Sequence, residues 1–338
     1  MQLNNDTMLD FIDVLIKPKK SSLKSRSDVD LERTFYFPNS KQEWTGIPII
    51  ASNMDTIGTY QVYQVLSQYK ILTALHKFHT LEDYKEMELD KEYFMVSTGI
   101  SNHDYINLVN ILDNIDVKFI CIDVANGYMD TFSHYCKRIR KTYPDKIIVA
   151  GNVVTSDIVE ELINDCGVDI VKVGIGSGAC CLTRLKAGVG VPQFSAILEC
   201  SKHNYSGYII SDGGITCPGD VSKAFGAGAD FVMIGGRFGG HDENPGELFE
   251  ENGRKYKLCY GMSSEHAMKK YYGKMNKYRS SEGRVAKVEY KGRLEDTVND
   301  YLGGIRSCCT YTNSSNIEEL MTNCEFIQVN RQLNTIYN

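Results

Sequence analysis

An α/β fold, a (β/α)8 TIM barrel with extended loops after strands 6 and 8, is predicted by three observations. Eight short apolar runs recur along the chain, each ends in a polar residue or a glycine, and segments of helical character separate them. Near-continuous hydrophobicity rich in β-branched residues suits strands buried on both faces, as in parallel sheets. Strands that alternate with helices make βαβ units. Eight in succession argue for a closed barrel over a doubly wound open sheet, which usually reverses its strand order.

The strands are expected at Ile47–Asn53, Ile71–Lys77, Phe94–Gly99, Phe119–Ala125, Ile147–Val153, Ile170–Gly176, Tyr208–Gly214 and Phe231–Gly236. Helical character falls on Tyr60–Tyr69, Asp104–Ile115, Asp130–Thr142, Asp157–Cys166, Gln193–Lys202 and Gly219–Gly228, with a last helix near Leu294–Ile305. Two connections break the rhythm, residues 177–192 and residues 237–293. Long loops at the C-terminal ends of barrel strands are where active sites are assembled, often with moving lids. Residues 1–338 are therefore expected to form one barrel domain that carries a cysteine loop and a flap-like insertion. The polar tail from Tyr311 is expected to pack elsewhere or to reach a neighbouring subunit.

Composition narrows the function. A 42% hydrophobic and 24% charged chain can build a core of good size. A formal charge of −6 argues against general binding to nucleic acid or an anionic membrane, which favour a basic surface. The N-terminus lacks the pattern of a signal peptide, and no apolar run approaches the ~18 residues of a membrane span. The 11 cysteines are odd in number and include no C-x-x-C pair, which fits neither a disulfide framework nor a zinc site. A reducing, cytoplasmic setting is expected.

Several groups of residues are candidates for chemistry. Asp212-Gly213-Gly214 and Gly235-Gly236 follow strands seven and eight, whose loops commonly form a barrel's phosphate site because glycine lets backbone N–H groups close around oxygens. Asp212 suits a ribose diol beside that phosphate; the plainer alternative is that the glycines only make tight turns. The glycine-rich loop after strand six holds Cys180 and Cys181. A thiolate there could act as a nucleophile, favoured by Arg184, Lys186 or backbone N–H groups, or the thiols could be inert. Gly176 and Gly178 leave carbonyls free for a monovalent cation. In the long insertion, Gly261-Met262-Ser263 could face a planar heterocycle, and Glu282 could accept a proton. Lys77 and Asp123 end strands two and four on the same rim, either as functional charges or as a salt bridge to one another. The basic stretch Lys17–Ser27 is either solvated surface or a grip for a phosphate group.

Taken together, Gly-x-Gly-x-x-Cys-x-Thr-Arg (176–184), Ser-Asp-Gly-Gly (211–214), Tyr-Gly-Met-Ser-Ser (260–264) and Arg-x-Ser-Glu-Gly (279–283) resemble the inosine monophosphate dehydrogenase/GMP reductase family, with its animal-type reductase branch the closer match. The resemblance runs from about Phe11 to Phe326. It implies NADPH-dependent reductive deamination of GMP to IMP and ammonia. Cys181 would form a covalent thioimidate at purine C2, Thr183 and Glu282 would protonate the departing amine, and Lys77 and Asp123 would face the nicotinamide. Asp212, Gly213, Gly214, Gly235, Gly236, Gly261, Met262, Ser263, Arg279, Ser280, Ser281 and Gly283 would hold the nucleotide. Besides Lys77 and Asp123, the cofactor would meet Val124, Ala125, Ile175, Gly176, Met262, Tyr278 and Arg279, with Ser25, Arg26, Ser307, Cys308, Cys309 and Thr310 at its adenosine end. Carbonyls of Gly176, Gly178 and Cys181, with Arg184, would bind a monovalent cation such as K+. A cytoplasmic homotetramer with a cofactor site shared between subunits is the implied assembly. No regulatory domain of the kind the dehydrogenases carry interrupts the early strands. A dehydrogenase trimmed of that domain and a catalytically silent nucleotide-binding barrel stay open as alternatives.

The chain departs from the family loop, Gly-Pro-Gly-Ser-x-Cys-Thr-Thr-Arg, at three informative positions. Ala179 lacks the serine hydroxyl that would bind phosphate, a contact worth ~1.5–3 kcal/mol. Ser177 in place of proline adds backbone freedom. Leu182 sets an apolar side chain beside the nucleophile. Outside the loop, Arg237 stands where the family commonly has an apolar residue.

Overall fold

The computed structural model describes residues 6–202, 206–262, 264–273 and 281–330. Eight parallel strands form its centre: β1 Gln42–Ala51, β2 Ile71–Leu75, β3 Phe94–Thr98, β4 Phe119–Asp123, β5 Ile147–Val153, β6 Ile170–Val173, β7 Tyr208–Asp212 and β8 Phe231–Ile234. Each pairs with the next in sequence, and β8 returns to β1 with Val232 opposite Ile49 and Ile234 opposite Ala51, so the barrel is closed. All eight expected strands are present. Their hydrophobicity has two destinations. Leu72, Ala74, Phe119, Cys121, Ile147, Val149, Ile170, Ile210, Phe231 and Met233 fill the barrel, while the alternating Ile71, Leu75, Ile120, Ile122, Ile148 and Val171 pack outward beneath the helices.

One end of the barrel is sealed by aromatic side chains. A strand before the barrel, Arg33–Phe37, pairs antiparallel with the start of β1 and sets Phe35 opposite Trp44. Phe35 stacks on Phe231 with ring centroids 4.3 Å apart, and the Trp44 ring meets the edge of Phe119. Trp44 is 1% exposed and its indole N–H donates to the Glu92 carbonyl at 2.7 Å. Trp44→Ala leaves a cavity and an unpaired carbonyl, and is expected to lower unfolding free energy by about 3–5 kcal/mol. A fall in the denaturant midpoint, with little change in activity measured below it, checks this. With the floor closed, chemistry belongs to the loops at the C-terminal ends of the strands.

The expected helices appear with shifted ends: Tyr60–Leu66, Asn102–Leu112, Asp130–Thr142, Ser156–Glu160 continuing as a π-helical turn to Asp165, Gln193–Cys200 and Pro218–Gly226. Leu81–Glu86 is among the helices that were not expected. It is too short for an apolar period to show, but it carries a reciprocal cap between Thr80 and Asp83. The helix expected near Leu294–Ile305 runs on to Thr312 and lies against Pro218–Gly226. A Cβ at Gly304 would lie 2.4 Å from Pro218 Cβ, so the glycine permits that close crossing. The polar tail packs on its own chain: the helix Ile317–Asn323 lies on Pro218–Gly226, and Phe326–Gln328 pairs antiparallel with Val14–Ile16. The insertion after β8 folds as a three-stranded antiparallel sheet, Phe249–Glu251, Arg254–Tyr260 and Val285–Glu289, with a helix at Glu265–Tyr272.

Candidate active site

The loops at the open end of the barrel surround one cleft. Gly176, Gly178, Ala179 and Cys181 reach it from the loop after β6, Asp212, Gly213 and Gly214 from β7, and Gly235 and Gly236 from β8. Gly261, Met262, Glu282 and Gly283 approach from the insertion. Close approach of the β6 and β7 loops explains one glycine. Gly213 has φ +103°, and a Cβ there would sit 2.5 Å from Ser177 Oγ and 3.0 Å from Gly178 N.

Backbone pairing holds the cysteine loop against the insertion. Leu182 N–H donates to Glu282 O at 2.6 Å, Arg284 N–H donates to Cys180 O at 2.9 Å, and Cys181 and Gly283 form a β-bridge between them. The Arg284 guanidinium adds a bond to Ala179 O at 2.9 Å. Ser177 does not loosen the loop as its replacement of proline suggests. Its hydroxyl donates to Gln193 Oε1 at 2.7 Å and lies 3.3 Å from Asp212 O, which tethers the turn.

This pairing sets three side chains in a row. The Cys181 thiol donates to Thr183 Oγ1 at 3.3 Å, and the Thr183 hydroxyl donates to Glu282 Oε2 at 2.7 Å. A thiol, a hydroxyl that both donates and accepts, and a carboxylate acceptor form a path along which a proton can leave the sulfur and later return. Cys180 is no part of it. Its thiol bonds to Cys259, and that bond together with burial pushes it up, leaving Cys181 as the thiol with nucleophilic geometry. The Arg184 guanidinium pairs with Asp10 at 3.0 Å, so it is not the cation beside the thiol.

Below the cleft, the inward period of the strands ends in charge rather than carbon. Lys172 Nζ lies 2.5 Å from Asp123 Oδ1 and 3.4 Å from Asp212 Oδ2, and Asn152 Nδ2 donates to Asp212 Oδ2 at 2.8 Å. Burial works against the ionised Asp123, but Lys172 prevails and holds its carboxyl below the usual range. Burial likewise opposes the charge on Lys172, and the two carboxylates outweigh it and raise its pKa. The sequence reading offered a Lys77–Asp123 salt bridge. Lys77 instead pairs with Asp104 at 3.2 Å, because Asp104 lies in the first turn of the helix Asn102–Leu112, which follows β3 on the same rim.

Of the expected site residues, Cys181, Thr183, Glu282, Asp123, Val124, Ala125, Ile175, Gly176, Gly178, Asp212, Gly213, Gly214, Gly235, Gly236, Gly261, Met262 and Gly283 line the cleft together. Ser281 stands just behind, its hydroxyl donating to Gly283 O at 2.9 Å. Lys77 and Arg184 are not in the cleft wall. Ser25, Arg26, Ser307, Cys308, Cys309 and Thr310 lie away from it; the turn Arg26–Asp28 packs on the helix Leu294–Thr312, which carries the last four. Cys309 is turned into the core with Ile305 and Leu320. Ser263, Tyr278, Arg279 and Ser280 lie outside the described residues. The sequence reading missed Ser52, Met54, Asn152 and Lys172. For Lys172 a signal existed: a charge inside the otherwise apolar run Ile170–Val173.

A closed barrel whose mouth aligns a thiol, a hydroxyl and a carboxylate beside glycine-rich loops has the arrangement that nucleophilic chemistry in an enzyme requires. The family model for the IMP dehydrogenase / GMP reductase domain matches residues 8–333, and the chain belongs to that family. It is 54% identical over 342 residues to GMP reductase 2 of Bos taurus, spanning 99% of this chain and 98% of that protein. It is 53% identical over 343 residues to GMP reductase 1 of Homo sapiens, with 99% of each covered. Similarity extends to the GMP reductase of Buchnera aphidicola subsp. Schizaphis graminum, at 51% over 346 residues with 100% and 99% covered. The motif resemblance, its reductase branch included, and the expectation of an oxidoreductase are borne out. Among the described residues no helix is long and apolar enough to cross a membrane.

Proposed function

We propose that this chain converts GMP to IMP and ammonia with NADPH, through a covalent adduct of Cys181 at purine C2. The observation that carries the reading is the Cys181–Thr183–Glu282 chain of hydrogen bonds. The thiol proton passes through Thr183 to Glu282 as sulfur attacks C2. The same proton returns through Thr183 to the amino group, which departs as ammonia and leaves a thioimidate. NADPH, when bound, supplies the hydride that C2 then receives; release of the thiolate yields IMP. The covalent step divides one difficult substitution into two easier ones.

Asp212 takes the ribose hydroxyls, the glycine turns at 213–214 and 235–236 take the phosphate, and Gly261 and Met262 meet the purine. Asp123, Val124, Ala125 and Ile175 line the cofactor side of the same cleft. Ser25, Arg26 and Ser307–Thr310 serve the adenosine end of a cofactor bound across a subunit boundary, and their position away from the cleft supports a homotetramer with shared sites. Carbonyls of Gly176, Gly178 and Cys181 suit a hard monovalent cation such as K+; Gly178 O accepts one N–H, from Cys181 at 2.9 Å, and keeps a second lone pair. That cation would stiffen the loop that carries the thiol.

The deciding experiment follows the NADPH absorbance band on adding GMP to the purified protein, with NAD+ plus IMP as the parallel reaction. GMP-dependent loss supports the reading, NADH formation from IMP replaces it with the oxidative sibling, and neither leaves a silent binding barrel. The altered loop adds a prediction. A Cβ on Gly236 would lie 3.8 Å from Ala179 Cβ, so Ala179 faces the phosphate turn. Ala179→Ser is expected to lower the KM for GMP by about ten-fold with kcat little changed, the value of one restored hydrogen bond to a charged group.

A further inference from the structure

A lysine without water around it is the feature this reaction leaves unused. Lys172 is 1% exposed and stands in β6 among Ile170, Val171 and Val173, beneath the cleft rather than in its wall. An ion pair in such a place is weak evidence for stability, because a well-packed apolar side chain often serves as well or better. Its partners give it another meaning. Asp123 on β4 and Asp212 on β7 both line the cleft, and both approach the same ammonium. Asp212 Oδ2 is further held by Asn152, and among the described residues no protein donor binds its Oδ1.

We infer that Lys172 is a positioning residue of this site, whose ammonium locks Asp123 and Asp212 into one rigid unit with a fixed separation. On the reading above, which this inference rests on for the identity of the ligands, Asp212 accepts from the nucleotide ribose and Asp123 faces the cofactor. Lys172 then aligns the two reactants through their carboxylate acceptors without touching either. It also keeps Asp123 ionised against its burial. Other groups near the pair cannot replace it. Cys121, the inward residue before Asp123, is a thiol that burial pushes up to about 12, and Lys77, which acts on Asp123 from the rim, is engaged by Asp104.

The test compares Lys172→Met, Lys172→Arg, Asp123→Asn and the Lys172→Met/Asp123→Asn double variant, with folding followed by circular dichroism. Lys172→Met is expected to weaken GMP binding, measured by calorimetry, about ten-fold, and to reduce kcat/KM about a hundred-fold. The acid limb of its pH profile is expected to move to higher pH. Asp123 without its cation takes up a proton earlier as pH falls, and a protonated acceptor no longer accepts. Lys172→Arg restores the limb to lower pH. Where Lys172→Met fails to fold, the double variant carries the test, because it removes both members of the closest pair. GMP affinity then falls about ten-fold in the double variant but not in Asp123→Asn alone. A folded Lys172→Met with wild-type GMP affinity and an unmoved acid limb would overturn the assignment, as would a double variant that binds GMP no worse than Asp123→Asn. If the wild-type protein binds GMP without consuming NADPH, the reaction reading fails, and the affinity comparison still decides the role of Lys172.

Discussion

Cys181→Ala is expected to reduce GMP-dependent NADPH oxidation by about four orders of magnitude or more, the scale of losing a covalent nucleophile. Cys180→Ala is expected to stay within a few-fold of the parent. The contrast follows from where two adjacent thiols point. Cys181 bonds to Thr183 in the cleft, whereas Cys180 is 8% exposed and its thiol bonds to that of Cys259 in the strand Arg254–Tyr260. Cys181→Ala leaves the glycine turns after β7 and β8 intact, the turns proposed to hold ribose and phosphate, so GMP should still bind with nearly the parent affinity. Loss of turnover with retained binding therefore marks the chemical step. Equal loss in both variants would place the damage in the packing of the loop and remove the case for Cys181 as nucleophile.

How far such a site can be read without coordinates depends on the range of the forces that build it. The barrel was legible because the inward and outward faces of each strand are both apolar, and this repeats locally eight times. The glycine turn after β7 was legible because glycine is needed where two loops nearly touch, as at Gly213. The Cys181–Thr183–Glu282 row was legible in its members only through the family motifs, since 99 positions separate Thr183 from Glu282 and the bridge between Cys181 and Gly283 joins them in space. Lys172 lay hidden inside a strand whose hydrophobic reading was correct; its meaning exists only with β4 and β7 on either side. Ser177 misled for a similar reason. Its backbone freedom is a local property, and Gln193, which cancels it, arrives from the following helix.

Glu282→Gln is expected to lower kcat by about two to four orders of magnitude, the usual worth of a positioned proton carrier. KM for GMP should change little, because Glu282 reaches the reacting atoms through Thr183 and not the ribose or phosphate. The amide keeps the shape and can still accept from the Thr183 hydroxyl, but it cannot take the proton that leaves Cys181. Thr183→Val should lower kcat on the same scale, since it removes the one oxygen that links sulfur to carboxylate across 3.3 Å and 2.7 Å. Three groups in series act as a unit, so the Thr183→Val/Glu282→Gln double variant should be no slower than the slower single variant. Independent roles would instead multiply the two losses. Steady-state kinetics on the four proteins decides between these patterns. Additive losses would mean that Thr183 and Glu282 serve separate steps, and that the proton on the departing amine comes by a route other than the one these three side chains form.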